Sequence, residues 1–193
     1  YKRSDGGTEN SDFEKGQGYG NLSFSYDQRF DIIAQLGIAT QSYGANTFYS
    51  AKYNNQYEKT DHGLASLNLS LHNQEKTWEI APQFYYNKFK DHYQLIRGKA
   101  GAAAGENYHD LDVYGSGLNA NVAWALGKTA VGFDISKECI YSTALGEELA
   151  EKDYKDISGS DRQYTRKGER TNTNIMLEHN FIFGGFTLSA GVL

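Results

Sequence analysis

Tyr43, Phe48, Tyr49 and Tyr53 cluster with Asn46, Asn54 and Asn55 in one short stretch of the chain. Flat aromatic faces beside amides suit a large amphipathic ligand, which needs stacking area and a few oriented polar contacts. Tyr43, Asn46, Phe48, Tyr49, Tyr53 and Asn54 are therefore the expected ligand contacts, and packing in an aromatic girdle is the other use for the same rings. A second group is acidic: Asp153, Asp156 and Asp161, with Glu151 nearby. Carboxylate oxygens are the ligands a hard cation takes, so calcium at Asp153, Asp156 and Asp161 is the one cofactor these residues suggest, against the plainer reading of a solvated loop.

Other chemistry finds little support. Gly127-Lys128-Thr129 imitates the end of a phosphate loop, but the earlier glycine would fall at 122, which is Val122. Gly16, Gly18 and Gly20 precede a strand pattern rather than a strand-to-helix junction, so no dinucleotide fingerprint is formed. His62, His72, His92, His109 and His179 show no ligand-like spacing, and Cys139 is the sole cysteine. No GxSxG, HExxH or SxxK occurs, so no enzyme is expected.

The 193 residues hold 19 Lys+Arg against 24 Asp+Glu, a formal charge of −5 that supplies no basic surface for phosphate. A nucleic-acid partner is not expected. With 14% aromatics, 21 Gly, one Pro and one Cys, the chain is neither a disulfide-stapled miniprotein, a collagen nor a disordered linker. It contains no run of 18 apolar residues, which excludes a membrane-spanning helix but not a spanning barrel, whose alternating strands keep mean hydropathy low. The chain starts at Tyr1 without a charged-then-apolar leader, so any leader is expected to have been removed or to lie outside this piece.

Period-two alternation predicts eight strands joined by alternately short and long connections. Leu22, Phe24 and Tyr26 share a face in the first, as do Ile32, Ala34, Leu36 and Ile38 in the second. The third sets Ala65, Leu67, Leu69 and Leu71 against Ser66, Asn68, Ser70 and His72, and the fourth sets Trp78, Ile80, Pro82, Phe84 and Tyr86 against Glu79 and Gln83. Leu118 to Leu126, Val131 to Ile135, Ile175 to Phe181 and Phe186 to Val192 continue the series. Short turns are expected at 27–31, 73–76, 127–128 and 183–185, and long loops at 41–56, 98–107 and 146–168. Pro82 fits poorly inside a strand, because it removes a ladder donor.

Three features favour a membrane barrel over a soluble sandwich. The alternation persists for about ten residues, the span a tilted strand needs to cross hydrocarbon, whereas soluble strands are commonly about half that. Trp78, Trp124, Phe183 and Phe186 lie near the short turns, as an interfacial girdle on one rim requires, and Phe84, Tyr85, Tyr86, Phe89 and Tyr93 lie toward the other. The face opposite the apolar one carries Asn68, Glu79, Gln83, Asn119, Asn121, Asp134, Asn174 and Glu178, a hydrated wall that implies a wide lumen holding water or a plug.

Three stretches carry a resemblance: SYGANTFYSAKYNNQYEKT at 42–60, WEIAPQFYYNKFKDHYQLIRG at 78–98 and YHDLDVYGSGLNANVAWALGKTAVGFDISKECIYSTALG at 108–146. Together they cover over half the chain and resemble TonB-dependent outer-membrane receptors of the Bacteroides type, cobalamin receptors foremost, with iron-chelate and haem receptors the related classes. The resemblance implies an all-β fold, an antiparallel meander of about eight long strands forming a segment of a 22-stranded transmembrane barrel. No plug-like segment, TonB box or closing strand ending in Phe is recognisable, so residues 1–193 are expected to be a partial barrel domain of a larger receptor.

By that resemblance the partners are outer-membrane lipid, a plug domain with TonB acting through the whole receptor, and a scarce, bulky small-molecule nutrient. The chain would supply wall and extracellular loops rather than the energy-coupling part. The alternative expectation is a surface β-rich adhesin or glycan-binding module.

Overall fold

A computed structural model describes all of residues 1–193. Twelve strands follow in chain order: β1 (Lys2–Ser4), β2 (Phe13–Tyr26), β3 (Phe30–Asn46), β4 (Gln56–His72), β5 (Trp78–Gln94), β6 (Glu106–Trp124), β7 (Gly127–Ser142), β8 (Glu147–Glu148), β9 (Lys155–Asp156), β10 (Gln163–Tyr164), β11 (Arg166–Phe183) and β12 (Phe186–Val192). There is no α-helix; two single 3-10 turns, Ala102–Ala104 and Glu151–Asp153, sit in loops. One antiparallel sheet runs β1-β2-β3-β4-β5-β6-β7-β11-β12, with β8 added beside β11, while β9 and β10 form a separate two-stranded ribbon. The expected all-β meander is thus present, and its eight main strands are β2 to β7, β11 and β12.

The register carries the main apolar series of every long strand to one side. Leu22 pairs with Ala34, Ala34 with Leu67 and Leu67 with Phe84. Pro82 pairs with Leu118, Leu118 with Phe133, Phe133 with Ile175, and Leu177 with Val192. Directly paired residues share a face, so this side is one continuous apolar surface. Nothing covers it: Leu36 and Ile175 are each 65% exposed and Leu118 is 45% exposed. Only 13 residues are buried, and the apolar ones among them, Ala45, Ile157 and Tyr164, lie at the long-loop end, so no conventional core exists under the sheet. The backbone ladder is the cohesive element, holding 108 of 129 backbone hydrogen bonds.

Pro82 is accommodated by a lapse in pairing. The β4–β5 ladder runs from Tyr57↔Gln94 to Asn68↔Gln83 and resumes only at Leu71↔Ile80, so the missing N–H falls where no bond is made. A second departure is at the β6–β7 turn. Trp124 pairs with Gly127, so the turn is Ala125-Leu126 and not Gly127-Lys128, and Leu126 leaves the strand face. Gly127 is needed as the first strand residue because it adopts φ +128, where L side chains are strained, and a Cβ there would overlap the Asn180 carbonyl oxygen of β11. Gly127→Ala should destabilise the folded state by about 2 kcal/mol or more through backbone strain, seen as a lower urea midpoint with unchanged slope.

The remaining differences are extents. Strands run further toward the long loops than the apolar alternation does, so the long connections are 47–55, 95–105 and 143–165. The short connections are 27–29, 73–77, 125–126 and 184–185, all at the opposite end. Segment 5–12, between β1 and β2, also lies at the long-loop end, since Ser4 pairs with Phe13 and Phe13 with Tyr43.

Candidate functional site

Beyond the apolar band both faces turn polar, and the long-loop end is built from the side chains found there. On the apolar side the change is abrupt. Along β5 the outward residues are Trp78, Ile80, Pro82, Phe84 and Tyr86, then Lys88 and Lys90; along β6 they run from Trp124 to Tyr114, then Asp112 and Asp110. Lys88 pairs with both Asp110 and Asp112, and the Tyr86 hydroxyl donates to Asp112 at 2.6 Å. Further along, Glu169 takes Lys137 at 3.0 Å and Lys167 at 2.5 Å. Tyr86 and Tyr114, 5.0 Å apart between ring centres, close the band at this rim. Trp78 and Trp124 close it at the other, with Phe183 and Phe186 beside them. The aromatic run from Phe84 to Tyr93 is divided by the pleat: Phe84 and Tyr86 lie on the apolar side, Tyr85, Phe89 and Tyr93 on the polar side.

On the polar side, β3, β4 and β5 converge on a carboxylate cluster. Tyr43 donates to Glu58 Oε2 at 2.6 Å, Tyr49 reaches the same oxygen, and the two phenol oxygens are 2.8 Å apart. Tyr49 packs edge-on against Tyr93, and Phe48 edge-on against Tyr49. Burial, then the Glu58 carboxylate, pushes both the Tyr43 and Tyr49 hydroxyls up from the usual phenol range, so both keep their protons. Asp91 lies in the adjacent row beside Thr60. Burial, then its neighbour Glu58, pushes the Asp91 carboxyl up to about 6. Asp91 Oδ1 and Thr60 Oγ1 are buried without a hydrogen-bond partner.

The loop above is fastened from below. Gln56, fully buried, donates to the carbonyls of Asn46, Ser50 and Tyr53 at 3.0, 3.1 and 2.7 Å, and its Oε1 accepts from the Tyr93 hydroxyl at 2.8 Å. The expected ligand contacts therefore divide. Tyr43, Tyr49 and Phe48 face the cluster; Asn46 donates to the Glu9 carbonyl, the Asn54 carbonyl accepts from Asn10, and Tyr53 lies under Lys52 at 5.5 Å. Asn46 spends its amide on tying the loop to segment 5–12, whereas Asn54 does so through its backbone carbonyl and keeps its side chain exposed. Glu58, Asp91, Thr60 and Tyr93 were not expected from the sequence; the strand parity of Leu64 and Ser66, carried back through β4, would have placed Thr60 and Glu58 on this face.

Below the cluster the polar face holds a depression of about 460 Å³, lined by Gln17, Tyr19, His62, Leu64, Asn87 and Phe89. Its size is that of small-molecule sites, about 300–1,000 Å³. Asp91, His109 and Ser142 share one row, the residue types of a hydrolytic triad. They do not assemble one. Ser142 is fully buried, and its oxygen accepts from the N–H groups of Ala144 and Leu145 at 2.9 and 2.7 Å. Its own proton therefore goes to His109 Nδ1, 2.8 Å away, and burial keeps that ring neutral by lowering its pKa.

Loop 143–165 folds over the other side of the same end. Glu106, 3% exposed, accepts from Gly101 N–H at 2.8 Å, His92 Nε2 at 2.8 Å, Gln94 Nε2 at 3.2 Å and the Tyr108 hydroxyl at 3.0 Å. Arg162, from the loop, reaches its carboxylate at 3.4 Å and its backbone carbonyl at 2.8 Å. Burial opposes ionisation of Glu106, but these donors outweigh it and hold the carboxyl down at about 2. The suggested calcium ligands lie elsewhere on this loop and are dispersed: Asp153 ends a 3-10 turn, Asp156 accepts from Gln163 at 2.8 Å, and Asp161 is exposed. No group of three or more His, Cys, Asp or Glu side chains gathers as a metal site.

No protein-family model, curated protein or solved structure matches the chain, so the functional reading rests on the pattern and geometry above.

Proposed function

We propose that the chain is a stretch of the wall of an outer-membrane barrel of the TonB-dependent receptor kind, its apolar face against lipid and its polar face toward the lumen and plug. One observation carries this reading: an uncovered apolar surface, bounded by aromatic residues at both rims, continuous across the eight main strands. Trp78 to Tyr86 and Trp124 to Tyr114 mark its height. At about 3.3 Å per residue and a tilt of about 45°, nine to eleven residues rise roughly 21–26 Å, the height of the lipid-facing band of such barrels. In water the same surface would be an aggregation liability. The stretches similar to TonB-dependent receptors supply the family and, with it, uptake of a bulky nutrient of the cobalamin or iron-chelate class. Open edges at β1–β2 and β12 fit a segment, because unpaired backbone groups in hydrocarbon cost several kcal/mol each and call for neighbouring strands.

Single cysteines test the assignment of faces in the chain reconstituted in phosphatidylcholine vesicles, with Cys139 first replaced by serine. Asn68→Cys and Asn119→Cys should react with a water-soluble maleimide, whereas Leu67→Cys and Leu118→Cys should be protected from it and quenched by lipid-borne nitroxide once labelled in denaturant. Equal maleimide reactivity on both faces would refute the wall and favour the surface-module reading.

A further inference from the structure

We infer that the polar face at the long-loop end is a site for an amphipathic organic cation, with its ammonium group lodged between Glu58, Asp91 and Thr60. The inference rests on the wall reading for its setting, since it places the site at the mouth of the lumen. Its chemical content comes from the side chains. Two carboxylates share this corner, and neither forms an ion pair. Lys15 and Lys2 share the face in the row of Gln41, but they stand at its edge, three and four strands from Asp91, and Arg166, three strands away on the other side of the same row, is paired with Glu148. Lys59 and Lys90 project to the opposite side.

His109, in the same row as Asp91, is held neutral beside Ser142, and His62 packs against Phe89 at 4.4 Å between ring centres, one row below. The corner is therefore acidic without an internal counter-ion. Glu58 gives one oxygen, Oε2, to both phenols, while Asp91 Oδ1 and Thr60 Oγ1 have no donor. Thr60 is 3% exposed. A buried oxygen left without a donor is costly, and an ammonium group brings three N–H donors together with the missing charge.

The surroundings select further. Tyr43, Tyr49 and Tyr93 place aromatic rings around the carboxylates, and ring faces attract cations. The depression one row below, with Tyr19, Leu64 and Phe89 in its lining, accepts an apolar body. An anion would meet two carboxylates at close range. A neutral alcohol could satisfy one orphaned oxygen but leaves the charge uncompensated.

The test uses the full chain folded in detergent micelles and three probes of matched shape: 2-phenylethylammonium, 2-phenylethanol and 3-phenylpropionate, titrated calorimetrically at pH 7.5. The ammonium should bind at least ten-fold more tightly than the alcohol, and the carboxylate should give no heat. Asp91→Asn should erase the ten-fold preference and Thr60→Val should reduce it, whereas Asp134→Asn, a carboxylate lower on the same face, should leave it intact. Thr60→Val decides the matter if Asp91→Asn does not fold. Equal binding of alcohol and ammonium, or a preference that survives Asp91→Asn, overturns the inference. The cysteine labelling separates the two readings: correct faces with no charge preference defeats the cation site alone, and reversed faces with an intact preference defeats the wall alone.

Discussion

Leu118→Arg should destabilise the bilayer-folded chain by about 2–4 kcal/mol, while Asn119→Arg, the next residue along the same strand, should stay within about 0.5 kcal/mol. Leu118 is central in the outward series from Trp124 to Tyr114, with Pro82 and Phe133 paired on either side. A guanidinium there has no interface within easy reach, so it must thin the bilayer or carry water inward. Asn119 points to the other side, beside Ala81 and Gly132, where a charge remains hydrated. Urea titrations into and out of phosphatidylcholine vesicles measure both, and their difference cancels whatever the open edges contribute. Sign is the discriminating feature. If the apolar face instead meets water, arginine at 118 relieves an exposed greasy patch, and the variant becomes as stable as the parent and more soluble.

The second large effect is at Glu106. Glu106→Ala leaves Arg162, His92 and the Gly101 N–H without their shared acceptor in a nearly closed site, a loss of about 3 kcal/mol. The sheet ladder does not depend on that carboxylate, so the loss is local and releases loop 143–165. Trypsin cleavage at Lys152, Lys155 and Arg162 should accelerate on the order of 100-fold, because cleavage follows the open population when reclosing is fast. Glu106→Gln keeps the shape and an acceptor oxygen and should cost less. The pH dependence has a definite direction. The folded carboxyl is held at about 2, below the ordinary value of about 4.3, so its contribution is complete above that value and is lost as pH falls toward 2. Loop protection should therefore persist at pH 5 and fade between about 4 and 2.

The eight long strands and the side each turns its main apolar series to were legible in the sequence, because an uncovered apolar face imposes alternation from Leu22 to Val192. What hid the strand extents was the same physics in reverse. Past Tyr86 and Tyr114 the outward residues become Lys88, Lys90, Asp112 and Asp110, so both faces are polar and the period disappears although the ladder continues. Short pieces such as β1, β8, β9 and β10 have too few residues to show a period at all. The Gly127 turn misled for a different reason: glycine marks an unusual φ, and here that φ is required inside the strand by a close carbonyl rather than in the turn itself.

The candidate site was half legible. Tyr43 and Tyr49 stand out by composition, but Glu58, Asp91 and Tyr93 join them only through the pairing of β3 with β4 and β4 with β5. Asn46 resembles a ligand contact by type, but its amide is consumed by the chain's own segment 5–12, while Asn54 meets that segment only through its backbone.

Every long pairing in the sheet joins strands that are neighbours in the main series, and each is closed at one end by a turn or a long loop. Such a meander is modular. A whole hairpin can be duplicated, deleted or exchanged with a related sheet without rethreading the backbone, and on the proposed barrel reading circumference grows in steps of two. On the same reading the long loops, rooted on ladder that stands clear of the greasy band, are free to diverge in recognition while the staves beneath them stay interchangeable.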